Sequence, residues 1–322
     1  MKKVFCITHF FNPVRYMRLL ELVIGPQNDK EKIKELVNFG DKILGKTVVV
    51  CKDSPGFLGN RVGVYAMQVA MTEAFNLGLS VEEADAVFGR PLGIPKTGVF
   101  GLYDLIGIDL MADVLKSFIK ELPSGDPFHE VGRELPIIKK LIQDGYTGRK
   151  GKGGFFRINK SSGKKILESL NYKDYTYKES KKIVLELPDL MDVKKVLERN
   201  DVYSQYAWSI IKKTILYASN LVPDVTDNFN DIDDAMKCGF NWSKGPFEIL
   251  NEIGIEKFIS KLNKDDKIPS FIKQIIKQKK SLFKANQGSL QYFHPKDLYV
   301  SMQRSTGVIS LSDIKKTTLP LY

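Results

Sequence analysis

Residues 19–51, LLELVIGPQNDKEKIKELVNFGDKILGKTVVVC, decide the fold class. Leu19 to Ile24 is a short apolar run broken only by Glu21. Thr47 to Cys51 is β-branched and apolar throughout, as a strand covered on both faces should be. Between them Ile33, Leu36, Val37, Ile43 and Leu44 recur on one helical face, with acids in the first turn and Gly45 at the stop. Strand, helix, strand is the building unit of an α/β domain. Val4 to Thr8 precedes it and reads as one more strand, so the first fifty residues predict an α/β element too short to be a whole domain.

Composition shifts after the turn Asp53-Ser54-Pro55-Gly56, and from there helix follows helix. Phe57 to Leu77 is a long apolar helix pattern stopping at Gly78. Ser80 with Glu83 is a capping-box signature that opens a helix over Val81 to Phe88. A further helical run spans Leu105 to Leu122, and a glycine- and lysine-rich turn, 147–154, leads into Phe155-Phe156-Arg157. Asn159 to Val193 is polar and weakly patterned, as an inter-domain connection reads. The halves on either side resemble each other: Ala84-Asp85-Ala86-Val87 and Leu102 to Asp109 are echoed by Asp233-Asp234-Ala235-Met236 and Phe247 to Glu256. Two copies are fewer than a solenoid needs, so the pattern predicts a duplicated helical domain.

The 322 residues are 43% hydrophobic and 27% charged, which places the chain among globular proteins of two or three modules. No apolar run approaches the ~18 residues that cross a bilayer, and the first residues are too short an apolar stretch for a signal peptide, so a cytoplasmic protein is expected. Cys6, Cys51 and Cys238 lie far apart, which argues against a disulfide framework and against a zinc site; no metal is expected. The net charge of +11 rests on forty lysines and nine arginines. That scarcity of Arg speaks against base readout, and no nucleic-acid or membrane partner is expected. The densest basic stretch, Lys273 to Lys284, reads as an amphipathic helix with a solvated face.

Three histidines occur, and His9 alone stands between an apolar strand and a rigid Asn12-Pro13 turn. Strand ends border the ligand crevice in open α/β sheets, where a group with a near-neutral pKa can move protons. Twelve residues on, Glu21 is an acid in an apolar run and needs a partner. Two readings stand: a base with its orienting carboxylate, or a structural histidine with Glu21 turned to solvent. Asn60 can reach into a crevice or cap the helix, and Ser54 can cap that helix. The turn at 148–154 does not fit a phosphate-loop pattern and reads as a loop closing on the sheet. His129 and His294 read as surface residues.

With His9-Phe10-Phe11-Asn12-Pro13, Leu20-Glu21-Leu22-Val23 and Lys52-Asp53-Ser54-Pro55-Gly56-Phe57-Leu58-Gly59-Asn60-Arg61 in this order, the chain resembles the 3-hydroxyacyl-CoA dehydrogenase family. The later turn, Gly148-Arg149-Lys150 with Gly153-Gly154-Phe155, is similar as well, and the helical halves resemble the paired C-terminal domains of long bacterial fatty-acid oxidation proteins. The resemblance implies a mainly α chain with an N-terminal α/β remnant: an incomplete doubly wound sheet (1–53), a first helical domain (54–158), a linker (159–200), a second all-α domain (201–300) and a tail (301–322).

It also implies roles. His9 would take the 3-hydroxyl proton as hydride leaves for NAD, Glu21 would be its carboxylate partner, and Asn60 and Ser54 would lie at the acyl-CoA substrate. Glu21→Gln is expected to cost less than loss of His9, since the imidazole stays. For the cofactor only the Asn12-Pro13 turn offers itself. The family's glycine fingerprint should precede His9 by well over a hundred residues; only eight residues precede it, and no G-x-G-x-x-G occurs. The expectation is a truncated or split-gene fragment working with a separate NAD-binding chain, assembled as a homo-oligomer. The other expectation is a catalytically silent acyl-CoA-binding or dimerisation module.

Overall fold

The computed structural model describes residues 5–161, 163–185, 192–286, 289–296, 298–302, 309 and 311–318. In chain order it contains strands Ile7–Phe10 (β1) and Leu19–Ile24 (β2), helix Lys30–Asn38 (α1), strand Thr47–Lys52 (β3), and helices Gly59–Asn76 (α2), Val81–Val87 (α3), Gly98–Ile106 (α4), Ile108–Glu121 (α5) and Pro136–Gln143 (α6). Three strands follow, Phe156–Asn159 (β4), Ile166–Asn171 (β5) and Thr176–Glu179 (β6). Next come helices Val193–Glu198 (α7), Val202–Asn220 (α8), Phe229–Gly239 (α9), Pro246–Ile253 (α10), Ile255–Ser260 (α11) and Ser270–Lys277 (α12). Strands Phe283–Asn286 (β7), Ser289–His294 (β8) and Leu298–Ser301 (β9) and helix Leu311–Thr317 (α13) complete it. The chain divides into two compact units, 1–62 with 215–322, and 63–214.

In the first unit β1, β2 and β3 form one sheet in that order, β1 antiparallel to β2 and β2 parallel to β3 through α1. The central strand β2 is the most buried of the three, with Leu19, Leu20, Leu22 and Val23 all in the core. Helix α9 packs on this sheet; a Cβ at Gly239 would lie 2.7 Å from Leu19 Cδ2, so glycine permits the close approach. A cluster of Phe229, Phe247, Phe271, Phe283 and Tyr292 packs elsewhere in this unit. The amphipathic stripe read over 33–44 forms α1 and a π-helical turn, Phe39–Ile43, yet no residue of α1 is buried, and Ile43 is 71% exposed. The basic helix stops at Lys277, and the end of the stretch, Phe283 and Lys284, opens strand β7.

In the second unit Phe100, Tyr103 and Phe155 pack against one another, and Phe118 against Phe128. Two of its buried hydroxyls find partners: Tyr103 donates to Gln68, and Tyr206 to the Ala70 carbonyl. The glycine turn closes around Asp104, whose carboxylate accepts the N–H groups of Phe155 (2.8 Å) and Phe156 (2.7 Å). Cβ atoms at Gly148 and Gly154 would fall onto Asp104, which explains both glycines without a ligand.

Two sequence expectations need amending. The halves are not all-α: antiparallel meanders, β4-β5-β6 and β7-β8-β9, follow the helices, the first running from Phe156 into the stretch expected as a linker. Their strands are only four to six residues long, so their alternation is too brief to stand out from polar loop. The internal echo is real in local geometry, with its register moved by one. Asp85 accepts from Phe100 and Gly101 in the first turn of α4; Asp233, not Asp234, accepts from Phe247 and Glu248 in the first turn of α10. Gly98 and Gly245 make room for these two carboxylates.

Candidate active site

The site is built on the β1–β2 hairpin of the first unit. The chain turns back between the strands through a cis Asn12-Pro13 peptide, and Tyr16 and Met17 both donate their N–H to the Pro13 carbonyl. Lys46 ties the turn down from outside by donating to the carbonyls of Val14 and Met17. The resulting register sets His9 directly opposite Glu21. Opposed residues of an antiparallel pair share a face, so their side chains meet. His9 Nδ1 lies 2.6 Å from Glu21 Oε2.

Glu21 is fully buried on the central strand, and its other oxygen is also in use. Oε1 accepts the N–H groups of Leu58 (3.0 Å) and Gly59 (2.7 Å), the first donors of α2. An anion at a helix N-terminus satisfies orphan amides and meets the positive end of the dipole. The carboxylate thus joins the imidazole to α2. A carboxylate oxygen at Oε2 can only accept, so the contact calls for a proton on Nδ1, and in the tautomer with that single ring proton Nε2 is the accepting nitrogen. His9 keeps 31% of its side-chain surface exposed. Cys51 lies buried in the same sheet; burial first, and then the Glu21 charge, push its thiol pKa upward, so it stays protonated.

Aromatic rings fix the imidazole plane. Phe11, the residue just past the end of β1, has its ring centroid 5.1 Å from that of His9; Phe57 lies at 5.4 Å. Phe57 reaches that place with φ 51°, left-handed backbone unusual for a bulky residue, directly after Gly56 at φ 74°. The turn is held by Arg61 of α2, which is buried and donates to Ser54 Oγ (2.9 Å) and, through Nε, to the Tyr217 hydroxyl (2.9 Å). The sequence shows this turn at Asp53 to Gly56 and carries Phe57 and Arg61 in the motif of the resemblance, but it assigns neither residue a role.

The predicted residues fare differently. His9 and Glu21 are brought together. Ser54 does not cap α2, since Glu21 does; its hydroxyl is occupied by Arg61. Asn60 sits in the first turn of α2, beside Gly59, half-buried, and among the described residues nothing hydrogen-bonds its amide. Asn12 and Pro13 are exposed in the hairpin turn. His129 and His294 lie elsewhere and bond to backbone groups nearby.

Residues 56–158 match the model of the 3-hydroxyacyl-CoA dehydrogenase C-terminal domain, and residues 1–54 that of the same enzymes' NAD binding domain. The chain belongs to the 3-hydroxyacyl-CoA dehydrogenase family. It is 42% identical over 250 residues to a putative fatty acid oxidation complex trifunctional enzyme of Rickettsia prowazekii, covering 78% of this chain and 34% of that protein. It is 31% identical over 327 residues to a probable 3-hydroxyacyl-CoA dehydrogenase of Bacillus subtilis, covering 98% of this chain and 40% of that one. The chain therefore spans between a third and two-fifths of the length of these relatives. The solved 3-hydroxybutyryl-CoA dehydrogenase of Escherichia coli K12 shares the fold with a TM-score of 0.57 at 19% identity, covering 84% of this chain and 69% of that one.

NAD is the cofactor of the matched domain. The described residues do not fit its pyrophosphate. Two helices follow strands of this sheet, and the first amides of both are already taken: at α2 Glu21 accepts from Leu58 and Gly59, and at α1 Asp29 accepts from Glu31 (2.9 Å) and Lys32 (3.3 Å), with Glu31 adding a second negative charge. An anion brought to either helix start would meet a carboxylate where a dinucleotide needs free N–H groups.

Proposed function

We propose that this chain carries the proton-transfer and acyl-CoA-binding part of a 3-hydroxyacyl-CoA dehydrogenase, which oxidises 3-hydroxyacyl-CoA to 3-oxoacyl-CoA with NAD in fatty-acid β-oxidation. His9 Nε2 accepts the 3-hydroxyl proton. Glu21 holds Nδ1–H and stabilises the imidazolium as it forms, and Phe11 and Phe57 keep the ring in plane for that transfer. The Asn60 amide, unengaged among the described residues and next to the Glu21-bound turn, is assigned to the substrate, with Ser54 behind it through Arg61. The observation that carries the reading is the 2.6 Å contact between His9 and Glu21. A strand-end histidine with a merely structural role has no need of a buried carboxylate partner.

The pyrophosphate is held, in this reading, by a separate NAD-binding chain. The exposed apolar stripe on α1 and the turn after it, with Leu36, Phe39, Ile43 and Leu44 open to solvent, supports such a neighbour. Residues 54–158 and 201–300 are read as two copies of the dehydrogenase's C-terminal domain, supported by the matching roles of Asp85 and Asp233, and the assembly as a homo-oligomer in the cytoplasm. Among the described residues no helix is long and apolar enough to cross a membrane.

The test is NADH oxidation by acetoacetyl-CoA, measured on the chain alone and mixed with the NAD-binding domain of a relative. Turnover that falls about 10²–10⁴-fold in His9→Ala is the expected result for loss of a general base. Saturable acyl-CoA binding with no turnover in either mixture would replace this reading with a silent binding module.

A further inference from the structure

The second unit holds a cavity of about 970 Å³ that shares no residue with the His9 site. Its volume lies in the range of small-molecule sites. Six cationic side chains line it: Lys96, Arg149, Lys152, Arg157, Lys160 and Lys181. Arg157 is paired with Glu168, and Lys152 donates to the Asp144 carbonyl. Lys96, Arg149, Lys160 and Lys181 have no carboxylate at ion-pair distance among the described residues. The acids that also line the cavity are engaged with the protein itself. Asp85 accepts from Phe100 and Gly101, Asp104 from Phe155 and Phe156, and Glu82 from Ser169 Oγ and Lys181 N–H. Among the described residues the six cations outnumber these three acids and Glu168, so positive charge is left over around a concave surface, where it attracts anions most strongly.

A second feature is independent of charge. Ile158 of β4 and Leu167 of β5 are register partners on one face of the meander, line the same cavity, and are 59% and 51% exposed. Together they form a flat apolar step beside the cations. Phosphate alone has no use for such a step; a purine base stacked on it does.

We propose that this cavity binds an adenosine polyphosphate, with the phosphates on Lys96, Arg149, Lys160 and Lys181 and the base on Ile158 and Leu167. Recognition is by side chains, because the amides that follow the glycine turn are taken by Asp104. Two sources share this chemistry, the 3′-phosphorylated ADP portion of coenzyme A and a free nucleoside triphosphate.

Equilibrium dialysis of the full chain against coenzyme A, ATP and inorganic tripolyphosphate tests the assignment. Saturable nucleotide binding is expected that weakens at least tenfold in the triple variant Lys96→Ala, Lys160→Ala, Lys181→Ala, with circular dichroism showing the variant folded. The Ile158→Ser, Leu167→Ser pair should weaken both nucleotides and leave tripolyphosphate unchanged. Coenzyme A bound more tightly than ATP identifies the first source, and equal binding the second. Binding as in the parent chain by the triple variant, or tripolyphosphate bound as tightly as the nucleotides, overturns the proposal. His9→Ala leaves this binding intact, so the outcome is separate from that of the dehydrogenase reading.

Discussion

Glu21 spends one carboxylate oxygen on His9 and the other on the helix that carries Asn60. Oε2 lies 2.6 Å from His9 Nδ1, while Oε1 accepts from Leu58 and Gly59. One buried side chain therefore sets the imidazole tautomer and the start of α2 together, and the two functions separate under different substitutions.

Glu21→Gln should abolish proton transfer almost as fully as His9→Ala, against the milder effect that the sequence suggests. The two N–H donors at Leu58 and Gly59 demand an oxygen, so the amide oxygen takes the Oε1 place and the NH₂ group faces His9. An NH₂ group donates; Nδ1 must then accept, and the ring proton moves to Nε2, where it blocks the base. A wrong tautomer in a comparable triad costs on the order of 10⁴ in rate. Nitrogen-15 NMR of the His9 ring reads the tautomer directly: Nδ1–H in the parent chain and Nε2–H in the variant. An unchanged tautomer would sink this account.

Stability should follow the opposite order. Glu21→Gln keeps an acceptor for α2 and loses little, whereas Glu21→Ala leaves two buried amides without a partner. At about 1–3 kcal/mol for each of the two unsatisfied groups, alanine should cost about 2–6 kcal/mol in urea unfolding. Equal midpoints for the two variants would show that the helix end does not depend on Glu21.

Phe57 offers a test of backbone strain beside the base. Its φ of 51° is unfavourable for any residue with a Cβ by about 1–2 kcal/mol. Phe57→Gly and Phe57→Ala both remove the ring 5.4 Å from His9, but only glycine relaxes the turn. The glycine variant should be the more stable of the two by about 1 kcal/mol, with activity reduced alike in both because the ring is lost in both.

The sequence made the hairpin pair legible because both residues break a local rule: a histidine at a strand end, an acid inside an apolar run. Strand alternation alone could not say that they face each other; the register does, and it is fixed by the Asn12 to Met17 turn. Ser54 was misplaced for a related reason. A serine before a helix is the usual cap, but here a carboxylate twelve residues after His9 reaches the same amides from a neighbouring strand, and such a long-range partner leaves no local trace. Phe57 and Arg61 stayed hidden likewise, since their roles lie in backbone conformation and burial. The stripe on α1 was read correctly as amphipathic, yet its burial depends on what covers it, which periodicity does not contain.

Asp104 should make the protein less stable as pH rises from about 4 to about 6. Burial is the main cause that pushes its pKa up, to about 6, against the opposing hydrogen bonds from Phe156 and Phe155 and the charge of Arg149. Its unfolded value is 3.8. A folded-state pKa above the unfolded one means that the native state binds the extra proton between those limits. The stabilisation is complete below the unfolded value and is lost as pH climbs through the folded one. At 1.36 kcal/mol per pKa unit, the window amounts to about 3 kcal/mol. Asp104→Asn cannot ionise and keeps one acceptor for the turn. It should be less stable than the parent at pH 4, by about 1–3 kcal/mol for the amide left unmatched, and its stability should fall less between pH 4 and 6.5. Part of the flattening will come through Asp85, whose pKa, raised chiefly by burial to about 8, is also raised by the Asp104 charge. Urea unfolding of both proteins at the two pH values measures the difference of slopes; parallel slopes would mean that the glycine turn holds Asp104 ionised throughout.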